Sequence, residues 1–186
     1  MAPITEALTF DDVTLAPSYS SILPSETITS TKLSNNLILK IPLLSSAMDT
    51  VTEGKMAIAI GKRGGIGIIH RNLSVKKQVE EIRKVKSKKV LVGAAVGAGF
   101  YEYKRAETIL KENLDLIVID TAHGHTKKVS DIIKKIIKIK PKKTSLCAGN
   151  IATAEAAKFL IKLGVDIVKV GIGPGSICTT RLVAGI

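Results

Sequence analysis

Tryptophan is absent, and 3 phenylalanines and 3 tyrosines supply the whole aromatic content of 186 residues. A surface that stacks nucleobases needs more rings than that, so single-strand nucleic-acid binding on aromatic platforms is not expected. Cysteine is scarcer still. Cys147 and Cys178 are the only 2, neither has a neighbour at CxxC or zinc-type spacing, and a reducing, cytoplasmic setting is the expectation. The chain does not open with a basic segment and an apolar run, and no uninterrupted apolar stretch approaches the ~18 residues of a membrane span. A soluble protein with no membrane partner is expected. Acidic residues are outnumbered, 16 against 28 lysines and arginines, giving a net charge of +12.

That charge attracts polyanions at long range. The lysines, however, are spread over helical patterns such as SVKKQVEEIRKVKSKK and KKVSDIIKKIIKIKPKK, where they fall between the apolar positions and face solvent. Nucleic acid is therefore not the expected partner, whereas an anionic metabolite such as a nucleotide is compatible with the charge. With 45% hydrophobic residues the chain can bury one core, and a single domain is expected.

Short runs rich in Ile, Val and Leu recur roughly every 25 residues, most of them followed by an amphipathic helical pattern, which is the mark of repeated βα units and a parallel sheet. The runs are IPLLSS, GGIGII, VLVGAAV, LDLIVID, SLCAGN and VDIVKVG, so six strands are predicted. Ser74 is placed to cap a helix with an apolar stripe of Val75, Val79, Ile82 and Val85. Thr153 is placed to cap another that buries Ala157, Leu160 and Ile161 and ends at Gly164. A third carries Val129, Ile132, Ile133, Ile136 and Ile137 and cannot run through Pro141.

Polar and reactive residues collect after each predicted strand. They are Ser45, Ser46, Met48 and Asp49; His70, Arg71 and Asn72; Asp120, Thr121, His123 and His125; Gly149 and Asn150; and the loop GIGPGSICTTR at 171–181. A (β/α)8 barrel puts its active site at this end of every strand, whereas a doubly wound sheet does so only around a reversal of strand order. The barrel is the expected fold.

Individual residues read less sharply. His123 and His125, at i and i+2 with no third ligand, make a poor metal site. Asp120 ends an apolar strand, where burial of its carboxylate is costly unless a ligand or a cap to the next turn answers it. Asn150 offers a donor and an acceptor to a heterocycle or a sugar hydroxyl, and serves equally well as a turn residue. Cys147 reads as a small buried hydrophobe. Cys178 lies past a strand in a loop whose Gly171, Gly173 and Gly175 can aim N–H and C=O groups at a small target, hold a phosphate or a monovalent cation, and lower a thiol pKa.

The segments LTFDDVTLAP, IPLLSSAMDTVTE, GGIGIIHRN, VGAAVG, DTAHGH, AGNIAT and GIGPGSICTTRLVAG resemble, in order, the successive signatures of the inosine 5′-monophosphate dehydrogenase family. The resemblance covers essentially the whole chain. It implies that Cys178 is the nucleophile attacking C2 of IMP, with hydride passing to NAD and a covalent thioimidate hydrolysed to xanthosine monophosphate. It further implies that Thr180 assists hydrolysis, that Ser176 contacts the IMP phosphate, and that Ser46, Met48 and Asn150 lie around the nucleotide. Asp120, Thr121 and Ala122 match the segment beside the nicotinamide riboside. The carbonyls of Gly173, Gly175 and Cys178 match a potassium site.

The same resemblance implies a homotetramer for a complete barrel. It also implies a pair of regulatory cystathionine-β-synthase-like modules, which this sequence lacks at their expected insertion point near residues 86–90. A full barrel takes about 250 residues and eight strands. The reading for 1–186 is therefore an N-terminal arm and a partial catalytic barrel of about six βα units, not expected to turn over alone. Guanosine monophosphate reductase, which shares the fold and cysteine loop, is the alternative enzyme. A truncated, non-catalytic nucleotide- or RNA-binding remnant is the alternative outside enzymology.

Overall fold

The computed structural model describes residues 8, 12–173, 175 and 178–184. An antiparallel hairpin, β1 (Thr31–Ser34) and β2 (Leu37–Leu39), precedes a repeating series of strands and helices. The series runs β3 (Leu44–Ser45), α1 (Gly54–Lys62), β4 (Ile66–Ile69), α2 (Val75–Lys86), β5 (Val92–Val96) and α3 (Phe100–Ile109). It continues through β6 (Leu116–Asp120), α4 (Lys127–Ile139), β7 (Ser145–Ile151), α5 (Ala154–Lys162), β8 (Ile167–Val170) and the short α6 (Thr180–Ala184).

The six strands β3 to β8 form one parallel sheet in strictly sequential order. No reversal of order occurs among them, so the doubly wound alternative is excluded and the sheet is a curled partial (β/α)8 barrel. All six strands consequently present their C-terminal ends to one rim.

Both faces of the central strands are covered, which is why they read as unbroken apolar runs instead of alternating ones. Outward residues such as Ile69, Ala94, Ile117, Ile119 and Leu146 pack on Val79, Ile82, Ile109, Ile133 and Leu160 of the helices. Inward residues Ile68, Ala95, Leu116, Val118 and Cys147 pack on Leu37 and Leu39 of the hairpin. A 2.6 Å hydrogen bond between the Ser34 and Ser145 hydroxyls ties the hairpin to the start of β7, at the end of the sheet opposite the rim.

At that same end one device occurs twice. Asp115, just before β6, accepts the Val92 N–H at 2.9 Å, and Asp166, just before β8, accepts the Leu146 N–H at 2.8 Å. Lys86 and Lys140 balance the two carboxylates at 3.1 and 3.5 Å. Each pairing fixes the start of one strand to the start of the next but one element, a stabilising role suited to the barrel's inactive face.

The caps follow the sequence. Ser74, Thr126 and Thr153 each accept an N–H of the first helical turn at 3.2–3.3 Å, contributing about 1 kcal/mol apiece. Three expectations are corrected. IPLLSS pairs only at Leu44–Ser45, since Pro42 has no N–H to donate to a ladder. The stripe of α5 is Ala156 and Leu160, with Ile161 61% exposed. The hairpin adds two strands to the six foreseen. Among the described residues no helix is long and apolar enough to cross a membrane.

Candidate functional site

Three loops meet on the rim at β6, β7 and β8. The Thr121 N–H and hydroxyl both donate to the Gly149 carbonyl, at 2.9 and 2.8 Å. The Asn150 N–H donates to the Thr121 carbonyl at 2.7 Å, and the Gly124 N–H to the Asn150 carbonyl at 2.7 Å. Gly124 is required by that approach, because a Cβ there would sit 2.9 Å from the Asn150 carbonyl oxygen. Asp120 completes the group by pairing with Lys169 of β8 at 2.7 Å. Ala122 and His123 are exposed. His125 lies with its ring 4.7 Å from that of Phe159, and among the described residues no cluster of three metal-ligating side chains forms.

The cysteine loop leaves β8 at Gly171, whose φ of +112° only glycine adopts readily. Gly173, at φ +49°, brings the chain back beneath the thiol, so that a Cβ there would lie 3.1 Å from Cys178 Sγ. The Cys178 N–H donates to the Gly175 carbonyl at 2.9 Å. Arg181 Nε donates to the Ile172 carbonyl at 2.9 Å and closes the loop from its far end. Ser176 lies outside the described residues.

The two thiols have opposite environments. Cys178 is exposed and its Sγ is 3.2 Å from Thr180 Oγ1. Hydrogen bonds from the Thr180 hydroxyl and N–H favour the thiolate and hold the Cys178 pKa below the ordinary thiol value, with Arg181 adding a smaller attraction. Burial in the barrel pushes Cys147 up to about 12, which leaves it an inert thiol.

On the other side of the sheet, Ser46 and Met48 share the turn after β3, the Met48 N–H donating to the Ser46 carbonyl at 2.9 Å. Ser46 lines a cavity of about 290 Å³ inside the sheet with Cys147, Ile167 and Lys169, while Met48 points to solvent. Asn72 donates to Asp49 at 2.8 Å and holds its carboxyl below the usual range. His70 is buried, with Nε2 3.4 Å from Glu53 Oε1. The structure thus gathers Asp120, Thr121, Asn150, Gly173, Gly175, Cys178 and Thr180 along the β6 to β8 rim, and sets Ser46 and Met48 at the β3 end.

Lys169 and Arg181 were not foreseen as site residues. Lys169 was legible, because in VDIVKVG it shares the parity of Ile167, an inward position of the sheet. The carbonyls of Gly173, Gly175 and Cys178 are neutral oxygen donors, which suits a monovalent cation better than a transition metal. A carbonyl has two lone pairs, so the bond that Gly175 accepts from Cys178 does not exclude a cation there.

A family model described as the IMP dehydrogenase / GMP reductase domain matches residues 7–186. The curated inosine-5′-monophosphate dehydrogenase of Borreliella burgdorferi is 46% identical over 231 residues, covering 97% of this chain and 57% of that protein. That of Cryptosporidium parvum is 41% identical over 227 residues, covering 98% and 56%. That of Aquifex aeolicus is 32% identical over 311 residues, covering 98% and 63%. The chain therefore spans somewhat more than half the length of the curated relatives it matches.

Proposed function

Because the chain belongs to the IMP dehydrogenase / GMP reductase family, we propose that it carries the nucleophile half of an IMP dehydrogenase active site, which oxidises IMP to XMP. The observation that carries this reading is the exposed Cys178 thiol, held 3.2 Å from Thr180 Oγ1 on a glycine loop at the barrel's active rim.

The Cys178 thiolate adds to C2 of the hypoxanthine ring and makes a tetrahedral centre. NAD supplies the acceptor for the hydride that leaves C2. The resulting thioimidate, a covalent bond from Cys178 to the purine, is hydrolysed by water, which releases XMP and returns the proton to the thiol. Splitting the oxidation in this way replaces one difficult step by two accessible ones. Thr180 stabilises the thiolate before attack and again as sulfur leaves. Asp120 would accept hydroxyl donors of the nicotinamide riboside, Thr121 and Ala122 would bound that side, and Ser46, Met48 and Ser176 would surround the nucleotide. The carbonyls of Gly173, Gly175 and Cys178 would hold a potassium ion, whose charge would keep the loop shaped around the thiol.

The relatives' printed names support the dehydrogenase over the reductase. The Aquifex alignment runs over 311 residues, longer than this chain's 186, which supports an internal segment in that relative without counterpart here. A partial barrel with an N-terminal arm and no cystathionine-β-synthase-like modules is the corresponding domain reading. A reducing, cytoplasmic setting fits two free cysteines.

The test uses the protein as it occurs in its own cells. Incubated with IMP and NAD, it is expected to form NADH and, on rapid quenching, a purine adduct on the peptide bearing Cys178. Consumption of NADPH with GMP, and no NADH from IMP, would establish the reductase instead. Neither activity, together with salt-sensitive RNA binding, would favour the non-catalytic remnant.

A further inference from the structure

We infer that Asn150 is a positioning residue whose side-chain amide, by holding the Gly171 carbonyl, fixes the base of the loop on which the Cys178 thiol rests. The inference depends on Cys178 being the reactive group, and it gives Asn150 a different task from contact with the nucleotide.

The geometry begins at β7. Asn150 Nδ2 donates to the Gly171 carbonyl at 2.7 Å, and the Gly171 N–H donates to the Ile151 carbonyl at 2.8 Å. Both backbone groups of the loop's first residue are thus held by two consecutive residues of β7. The next residue, Ile172, is buried and has its carbonyl held by Arg181 Nε. At the third, Gly173, a Cβ would lie 3.1 Å from Cys178 Sγ and 3.4 Å from Thr180 Cβ, so its backbone passes close beside the thiol. Three successive residues therefore connect the Asn150 amide to the thiol, the first two held by hydrogen bonds and the third passing beside the sulfur.

Asn150 is itself immobilised, with its N–H on Thr121 and its carbonyl on Gly124. An anchor set on packed strand ends transmits its position, whereas one on a free loop would move with its target. The chemistry calls for a neutral donor of this length. Aspartate would set oxygen against the Gly171 carbonyl oxygen, and alanine would leave that carbonyl to water.

The experiment needs neither IMP nor NAD, so its failure is separate from failure of the proposed activity. In the full chain, the rate of Cys178 alkylation by iodoacetamide at pH 7 is followed in wild type, Asn150→Asp, Asn150→Ala and Asn150→Gln, with amide exchange read by mass spectrometry. Asn150→Asp and Asn150→Ala are expected to slow alkylation at pH 7 on the order of threefold, because the thiol is no longer held in place. They are also expected to speed exchange at residues 171–173 on the order of tenfold. Asn150→Gln, which keeps the donor, should recover part of both effects. An unchanged alkylation rate overturns the inference, whether or not exchange speeds up, since the amide then does not position the thiol. Should the variants not fold, the wild type decides. An Asn150 side-chain amide exchanging as fast as that of exposed Asn35 overturns the inference, and a protected one supports it.

Discussion

The Lys169 ammonium lies 2.7 Å from Asp120 Oδ1, reaching across the full width of β7. Gly149 makes room for the lysine, because a Cβ at that position would lie 2.7 Å from Lys169 Cβ. Two inward-facing strands are thereby joined at the rim by a pair that is neither fully buried nor fully solvated, at 39% and 27% side-chain exposure.

Lys169→Met should therefore cost about 1–2 kcal/mol, between the values for exposed and buried pairs. The urea midpoint should fall at constant slope. Asp120→Asn alone should cost a similar amount, and the double variant less than the sum of the two. Strictly additive losses would show that the pair contributes no coupling.

Thr180→Val removes the hydroxyl that is the largest cause of the lowered Cys178 pKa. The alkylation midpoint should rise toward the ordinary thiol value of about 8.5, so reactivity at pH 7 falls several-fold. The Thr180 N–H and Arg181 retain part of the effect. The sign for stability follows from a depressed folded-state value. Ionised Cys178 favours the folded state above the unfolded thiol's pKa, and this contribution disappears as pH falls through the lower folded value. Near neutral pH, where the buried Cys147 remains protonated, the folded chain should take up a single alkyl group. An unchanged midpoint in Thr180→Val would rule out the hydroxyl as the thiolate's partner.

The barrel was legible because burial on both faces writes each strand as an apolar run, and the runs recur at βα spacing. The helix starts at Ser74 and Thr153 were legible because capping is local chemistry. Ile161 was misplaced for the opposite reason, since whether an apolar residue at the margin of a stripe is covered depends on which neighbouring element reaches it. At the site, glycines around Cys178 announced a tight loop, but the partner of Asn150 could not be read. Its carbonyl acceptor at Gly171 is 21 residues away, and only the β7–β8 register brings them together. Asp120 left two readings open. The structure supplies a third, a cation from the strand next but one.

Gln78 is the clearest case of a polar residue whose role is invisible in sequence. Beside Val79 on a lysine-rich helix it reads as solvent-facing, yet it is fully buried. Its Nε2 donates to the Ala95 carbonyl at 2.9 Å and the His70 carbonyl at 3.1 Å, while Oε1 accepts from Arg105 Nη1 at 2.9 Å. Arg105 also donates to the Leu73 carbonyl at 3.0 Å, and Glu102, 3.6 Å away, accepts the Gly97 N–H. The rim ends of β4 and β5 are thereby held through side chains of α2 and α3. Gln78→Leu keeps the volume but takes a side-chain donor from two carbonyls and one of its acceptors from a largely buried guanidinium, which should cost about 2–4 kcal/mol. For a chain of this size that is a fall of about 5–15 °C in Tm. Gln78→Leu combined with Arg105→Leu should lose less than the sum of the single variants, because the second change removes the donor that the first left short of an acceptor. A Gln78→Leu chain that melts with the wild type would show that water satisfies these carbonyls, and that α2 is held to the sheet by its apolar stripe alone.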